Sequence, residues 1–223
     1  MANTVIFDMD GVLIDTERIC AQAWQEGGSL HQVSDIEVTI RECIGLNEGD
    51  TRAYFMKKYG MDFPYEAFRC DSSRIFWEIA DRDGIPVKPG VYELMDFLRE
   101  AGFRVGLASS TKESSVRSHM ERTGLIGYFQ KIVTGDMVRH SKPHPEIYQL
   151  ACSQMGSPPG KSIAIEDSPN GIRSAWEAGL KTIMVPDMIQ PDDAVKAMLY
   201  GCFPSLLQVK EFLEKRWRSD ESE

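Results

Sequence analysis

Five short apolar runs constrain the fold of this chain more than any other feature: Thr4–Phe7, Arg104–Ala108, Lys131–Thr134, Ser162–Ile165 and Lys181–Val185. Each has the length of an ordinary strand, and three are rich in Val and Ile. None shows the in–out alternation of a strand with one wet face. Strands apolar on both sides must be covered on both sides, and segments of helical periodicity separate these runs. That combination implies βαβ units and an α/β fold around a parallel sheet. Start and stop signals support the helices between. Val91, Leu94, Met95 and Leu98 form one apolar face, with Gly102 at the position after its end. Ser110 and Glu113 have capping-box spacing, with Gly124 closing that helix. Pro145 suits the first turn of a helix that Gly156 ends, and Ser168-Pro169 opens another that Gly179 ends.

The stretch 16–86 breaks the alternation. It carries helical patterning at Glu17–Gly27, Asp50–Tyr59 and Tyr65–Ala80 but no clear strand. A structureless loop of that length does not belong inside a compact domain. It is read as an all-helical insertion, a second domain at 16–86, with 1–15 and 87–223 forming the α/β core. Asp83-Gly84-Ile85-Pro86-Val87-Lys88-Pro89-Gly90 is the returning linker.

The chemistry gathers at the strand ends, where open α/β sheets bind ligands. Asp8-Met9-Asp10-Gly11 follows the first run, and in extended chain Asp8 and Asp10 face the same side. Asp-Gly is also a common solvated turn pair, and alone the motif leaves both readings open. The other strand ends decide between them. Arg104–Ala108 leads into Ser109-Ser110-Thr111, hydroxyls and amides at a helix start, which suit an anion. Ser162–Ile165 leads into Glu166-Asp167. Four acids at two strand ends repel one another unless a cation lies between them, and hard oxygen ligands favour Mg²⁺. Lys142, in His140-Ser141-Lys142-Pro143-His144-Pro145, supplies a point positive charge. A carboxylate nucleophile, a second carboxylate, a hydroxyl, a lysine and metal-binding acids together make a phosphoryl-transfer set.

These segments resemble the haloacid dehalogenase-like phosphohydrolases. Phe7-Asp8-Met9-Asp10-Gly11-Val12-Leu13-Ile14-Asp15-Thr16-Glu17 is similar to that family's opening motif, Leu107-Ala108-Ser109-Ser110 to its second and Lys142-Pro143-x-Pro145 to its third. Ile165-Glu166-Asp167-Ser168-x-Asn170-Gly171 is similar to its fourth. Order and spacing match across nearly the whole chain, and the insertion at 16–86 resembles the helical cap of the branch containing β-phosphoglucomutase and small sugar phosphatases. The resemblance implies a Rossmann-like core and a Mg²⁺-dependent phosphatase acting on a small phosphorylated metabolite, a sugar phosphate being expected. It implies Asp8 as nucleophile, Asp10 as general acid/base, and Ser109 and Lys142 as holders of the phosphoryl oxygens. Asp8, the Asp10 carbonyl, Asp167 and Glu166 would hold or surround the metal. Glu17, Gly45, Asn47, Ser109, Ser110 and Lys142 are the implied substrate-binding residues.

Other features narrow the reading. Lys plus Arg number 25 against 34 Asp plus Glu, a formal charge of −9, which argues against non-specific binding of nucleic acid or anionic lipid. No run of roughly 18 apolar residues suggests a membrane span. The opening MANTVIFDMDG lacks the pattern of a signal peptide. The five cysteines are widely spread without C-x-x-C, as expected of reduced packing residues in a cytoplasmic protein, and a monomer is expected. Gly156–Ser162 nearly spells a P-loop but precedes a strand, and reads as an αβ turn. His140 and His144 are separated by a proline and read as no metal pair; Trp24 and Trp77 read as core; Glu48, Asp50 and Arg52 read as a solvated surface, with Gly45–Glu48 a loop that could face substrate. Three rival readings fit the residues less well. In phosphomutases of the same branch, Arg stands at the position of Glu48 and His at that of Cys20, so both departures count against a mutase. A phospho-Asp signalling receiver carries its aspartate on the third strand rather than the first, and a nucleotide-binding module lacks its G-x-G-x-x-G.

Overall fold

The structure, a computed structural model, describes residues 3–43, 46 and 48–220. Six parallel strands form one sheet in the order β3-β2-β1-β4-β5-β6. They are β1 (Thr4–Phe7), β2 (Arg104–Ser109), β3 (Lys131–Thr134), β4 (Ser162–Glu166), β5 (Lys181–Met184) and β6 (Leu199–Cys202). The chain works outward from β1 to β3, then returns to the other side of β1 for β4. That reversal makes the carboxyl ends of β1, β2 and β4 the switch point of the sheet.

The two-residue period of β1 divides the core. Val5 and Phe7 face a cluster with Leu94 and Leu98 of α5 (Val91–Glu100), Val116 of α6 (Glu113–Arg122), and Leu206 and Val209 of α10 (Leu206–Asp220). Ile6 faces the opposite cluster, with Ile147 and Ala151 of α7 (Glu146–Met155) and Ala175 of α8 (Pro169–Glu177). Helices therefore cover both faces, as continuous apolar strands require.

The stretch 16–86 is helical as expected: α1 (Thr16–Leu30), α2 (Ile36–Cys43), α3 (Glu48–Tyr59) and α4 (Tyr65–Asp83). Ile19 and Ala23 of α1 pack on Ile75 and Ile79 of α4, and Cys43, Phe55, Tyr65 and Phe68 form a second apolar cluster. Its two connections to the sheet run side by side. Ile14 and Val87 form an antiparallel bridge, the Asp15 amide donates to the Pro86 carbonyl (2.9 Å), and the Lys88 amide donates to the Leu13 carbonyl (2.9 Å).

Several expectations need correction. Helix α2, strand β6 and the short helix α9 (Asp193–Lys196) are elements beyond those the sequence patterns predict. Strand β6 is only half-buried and ends in exposed Cys202, so its sequence carries no apolar run. The Ser110–Glu113 capping box does not form. Helix α6 starts at Glu113 after Lys112, and Asp136 Oδ1, beyond β3, accepts from the Glu113 amide (3.1 Å). Pro145 stands at the cap rather than inside the first turn. At α8 the reading holds: Ser168 Oγ accepts from the Gly171 amide (3.1 Å), with Pro169 next. Gly156–Ser162 is a helix end and a turn into β4, as read.

Candidate active site

Strand ladders aim the reactive groups. β1 pairs with β2 on one side and β4 on the other, Phe7 lying level with Leu107 and Ile165. The residues that follow, Asp8, Ser109 and Glu166-Asp167, therefore emerge together at one edge. Lys142 reaches the same point from the loop before α7, and its peptide bond to Pro143 is cis.

Lys142 is the hub. Its Nζ donates to Asp8 Oδ1 (2.5 Å), Glu166 Oε1 (2.6 Å) and the Ala108 carbonyl (3.1 Å). All three side chains are buried. Glu166 Oε1 also accepts from the Tyr148 hydroxyl (2.6 Å), and Glu166 Oε2 from Ser168 Oγ (3.3 Å). Asp10 has a separate set of partners. Its Oδ1 accepts a short hydrogen bond from Thr16 at the start of α1. Its Oδ2 accepts from Thr111 Oγ1 (2.9 Å) and, at the limit of contact, from Ser109 Oγ (3.5 Å). Hydroxyls from two segments, the start of α1 and the stretch after β2, thus fix the Asp10 carboxyl in one orientation.

One lysine does not balance the acids. Burial pushes the Asp8 carboxyl up to about 8 against the pull of Lys142, with Glu166 and Asp10 adding to the rise. Burial, then Glu17, Glu166 and Asp8, hold Asp167 well above the usual carboxylate range. Burial opposes the charge on Lys142, but Asp8 and Glu166 outweigh it and keep that ammonium above its usual range. The donor set fits a hard divalent cation. Oxygens of Asp8, Glu166 and Asp167 lie within 4.8 Å of one another, and carboxylates suit Mg²⁺. Among the described residues no protein donor reaches the buried Asp167 carboxylate, a group that in a dry site calls for a positive partner.

Two glycines let these acids approach the backbone. A Cβ on Gly11, where φ is +79°, would lie 2.4 Å from Asp167 Oδ2. A Cβ on Gly171 would lie 2.0 Å from the Glu166 carboxyl carbon. Glu166 cannot swing away without releasing Lys142, Tyr148 and Ser168. Gly171→Ala is therefore expected to cost about 3 kcal/mol, the upper part of the range for overpacking. Thermal unfolding would show a Tm lower by roughly 6–12 °C.

Above the acids opens a cavity of about 710 Å³. Asp8, Asp10, Asp167 and Lys142 form its floor, with Ser110 and Thr111 beside them; Glu17, Trp24, Phe76, Trp77 and Glu48 come from the helices above. Glu17 is pushed up to about 8 by burial and by Asp10, Asp187 and Asp8, and its Oε2 is buried without a partner, as is Ser110 Oγ. The implied site residues Asp8, Asp10, Ser109, Ser110, Lys142, Glu166, Asp167 and Glu17 thus converge; Gly45 and Asn47 lie outside the described residues. Trp24 packs on Phe55 and Phe68, as read, and also lines the cavity; Glu48 is exposed, as read, on the cavity rim; Trp77, read as core, is half-buried and lines the cavity too. Asp50 accepts a short hydrogen bond from Ser141 Oγ. His140 and His144 stand with ring centroids 4.7 Å apart on a separate cleft of about 530 Å³.

Thr16, Thr111 and Tyr148 hold the two key carboxyls and were not singled out individually. Thr16 and Thr111 lie inside the motif segments, but Tyr148 reads as one more apolar-face residue of a helix.

Comparison with known proteins agrees with this geometry. A family model described as "Haloacid dehalogenase-like hydrolase" matches residues 5–185. The chain is 30% identical over 213 residues to "Phosphorylated carbohydrates phosphatase" of Thermotoga maritima, covering 94% of this chain and 95% of that one. The structure of CbbY from Rhodobacter sphaeroides in complex with xylulose-(1,5)bisphosphate superimposes with a TM-score of 0.80 at 26% identity, over 93% of this chain and 96% of that one. A putative β-phosphoglucomutase from Thermotoga maritima does so with a TM-score of 0.76 at 26% identity, over 96% and 99%.

Proposed function

The chain belongs to the haloacid dehalogenase-like hydrolases, and from that premise we propose that it is a Mg²⁺-dependent phosphatase of a small sugar phosphate. The observation that carries the proposal is the Asp8–Lys142–Glu166 contact at the foot of the cavity, with Asp10 two residues along on the same floor and held by hydroxyls instead of by Lys142. Such an arrangement supplies a nucleophile, a fixed positive charge and a separate acid within one dry site.

In this mechanism an Asp8 carboxylate oxygen attacks phosphorus as the bond to the leaving oxygen breaks. Asp10 gives its proton to that oxygen and the alcohol departs. Asp10 then takes a proton from water; the hydroxyl attacks the same phosphorus, the Asp8–phosphorus bond breaks, and inorganic phosphate leaves. Lys142, Ser109 and the neighbouring amides hold the phosphoryl oxygens in line. Asp8, Asp167, the Asp10 carbonyl and Glu166 would hold Mg²⁺, which when bound offsets the charge of acids and phosphoryl group alike. Helices α1–α4 act as a cap domain at 16–86 that encloses the leaving group and sheds bulk water. The named relatives act on or bind phosphorylated carbohydrates, which supports the substrate class.

A mutase would return the phosphoryl group to a second sugar oxygen, and the likeness to a putative β-phosphoglucomutase keeps that outcome in the test. Glu48 on the cavity wall weighs against it, because its carboxylate lies 3.4 Å from Arg69 Nε and already engages the cation that a rebound bisphosphate would need. The experiment is a panel of phosphorylated metabolites with Mg²⁺, including β-glucose 1-phosphate with a catalytic amount of its bisphosphate. Free phosphate is expected to form faster than glucose 6-phosphate. Glucose 6-phosphate forming much the faster would overturn hydrolysis, and no turnover of any phosphomonoester would overturn the phosphatase.

A further inference from the structure

Four residues of the cavity wall carry a buried polar atom with no hydrogen-bond partner among the described residues: Glu17 Oε2, Ser72 Oγ, Ser110 Oγ and His119 Nδ1. Glu17 and Ser110 are among the site residues described above. The Ser72 hydroxyl lies in the seam between α4 and α1, where a Cβ on Gly27 would come within 2.4 Å of it. His119 fits neither group. It stands on α6 one turn beyond Ser115, and both line the cavity, as residues four apart share one helix face. His119 is only 5% exposed. Two rings of α4 hold its imidazole in place. Trp77 stacks on it with centroids 5.3 Å apart and planes 28° from parallel, and Phe76 lies 5.6 Å away at 59°. The nearby Arg122 guanidinium is engaged elsewhere, 5.0 Å from the centroid of Trp77 and donating to Asp81 Oδ1 at 2.7 Å. The imidazole thus has a fixed plane, set by aromatic walls, and an unmet Nδ1. Buried polar side chains normally have a partner.

Resting on the phosphatase reading, we infer that His119 is a specificity-determining residue whose imidazole hydrogen-bonds a hydroxyl of the leaving group, while Phe76 and Trp77 cover a C–H face of the same sugar. The charge of the ring decides the class of group it takes. Burial holds the imidazole below its ordinary pKa against the pull of Asp10, and Arg122 adds to the fall. The ring is therefore neutral at pH 7. A neutral imidazole has one N–H and one lone pair, and a hydroxyl both donates and accepts. A carboxylate or a second phosphate would call for the imidazolium, which burial opposes. Place agrees with chemistry. Asp10, which gives its proton to the leaving oxygen, is near enough for its charge to act on the ring, so His119 stands on the side of the alcohol that departs. The aromatic pair comes from α4 and the imidazole from α6, so the pocket for this hydroxyl exists only where the cap and the core meet.

The test takes whichever of glucose 6-phosphate, fructose 6-phosphate and ribose 5-phosphate has the highest kcat/KM, together with its monodeoxy analogues and p-nitrophenyl phosphate, whose leaving group has no further hydroxyl. In wild type one monodeoxy analogue should lose about tenfold against the parent sugar, the scale of one hydrogen bond whose buried partner is left open. His119→Phe keeps a flat ring between the aromatic walls and should lower the ratio of parent sugar to p-nitrophenyl phosphate by about tenfold. In that variant the same analogue should differ from its parent by no more than about twofold, because the missing hydroxyl no longer has a partner to lose. His119→Leu gives the same comparison where the phenylalanine variant does not fold. His119→Asn, which keeps a polar atom near Nδ1, should restore part of the ratio. A residue that served packing alone would lower every substrate together and leave the analogue effect as it is in wild type. Failure of wild type on p-nitrophenyl phosphate and all three sugars would overturn the phosphatase reading itself. Three results would overturn this inference alone: turnover of p-nitrophenyl phosphate but of no sugar phosphate, no monodeoxy analogue weakened in wild type, or an analogue weakened as much in His119→Phe or His119→Leu as in wild type.

Discussion

Asp8→Asn is expected to lose roughly four orders of magnitude or more in kcat, the scale seen when a covalent nucleophile is removed. The amide keeps the size of the side chain and can still accept from Lys142, but it cannot attack phosphorus. Folding should not suffer. Burial already opposes the Asp8 charge and raises its carboxyl to about 8, so exchange for a neutral group removes a cost along with a partner of Lys142. The variant should unfold at a temperature no more than a few degrees from wild type. Asp10→Asn should also fall severely in turnover while still binding substrate. Near-normal turnover by Asp8→Asn with Mg²⁺ present would rule out the covalent route.

Chelation should be as damaging. After EDTA treatment activity is expected to vanish and Mg²⁺ to restore it, whereas Ca²⁺, with its larger and looser shell, should restore it poorly. A second readout does not need turnover. A ligand bound only by the folded state adds about 2.7 kcal/mol at a hundred times its dissociation constant, so Mg²⁺ should raise the Tm of metal-free protein. Asp167→Asn should abolish that rise, because it removes the carboxylate that no protein donor reaches. Full activity after exhaustive chelation, or a Tm unaffected by Mg²⁺, would contradict the cation site.

The legible part of this protein in its sequence was the part that obeys local rules. Runs such as Ser162–Ile165 show their burial on both faces, and Ser168-Pro169 shows its helix start, because the cause lies within a few residues. Strand β6 escaped because an outer strand beside β5 alone needs no apolar run; Tyr200 and Gly201 sit half-covered. The Ser110–Glu113 spacing misled because a residue from beyond β3, Asp136, takes the amide that Ser110 would have taken. At the site the acids and Lys142 stood out through their positions at strand ends and the motif order. Tyr148 did not, because its contact with Glu166 spans 18 residues and two elements. Trp24 is interior, as read, yet shares its ring with the cavity wall, and no sequence pattern separates a wall facing a cavity, as at Trp77, from one facing other side chains.

The paired connections at 14 and 87 carry one more consequence. The chain leaves the sheet and re-enters it through two hydrogen-bonded segments lying side by side, so the sheet experiences the 16–86 stretch as little more than a closed loop of any length. Loop-closure entropy grows only slowly with the number of residues enclosed. The 16–86 stretch can therefore be lengthened or shortened while the register of β1 against β2 and β4, and the placement of Asp8, stay as they are. The strand register is thereby insulated from events in a stretch of about 70 residues, because both ends of that stretch are clamped to each other before they reach the sheet.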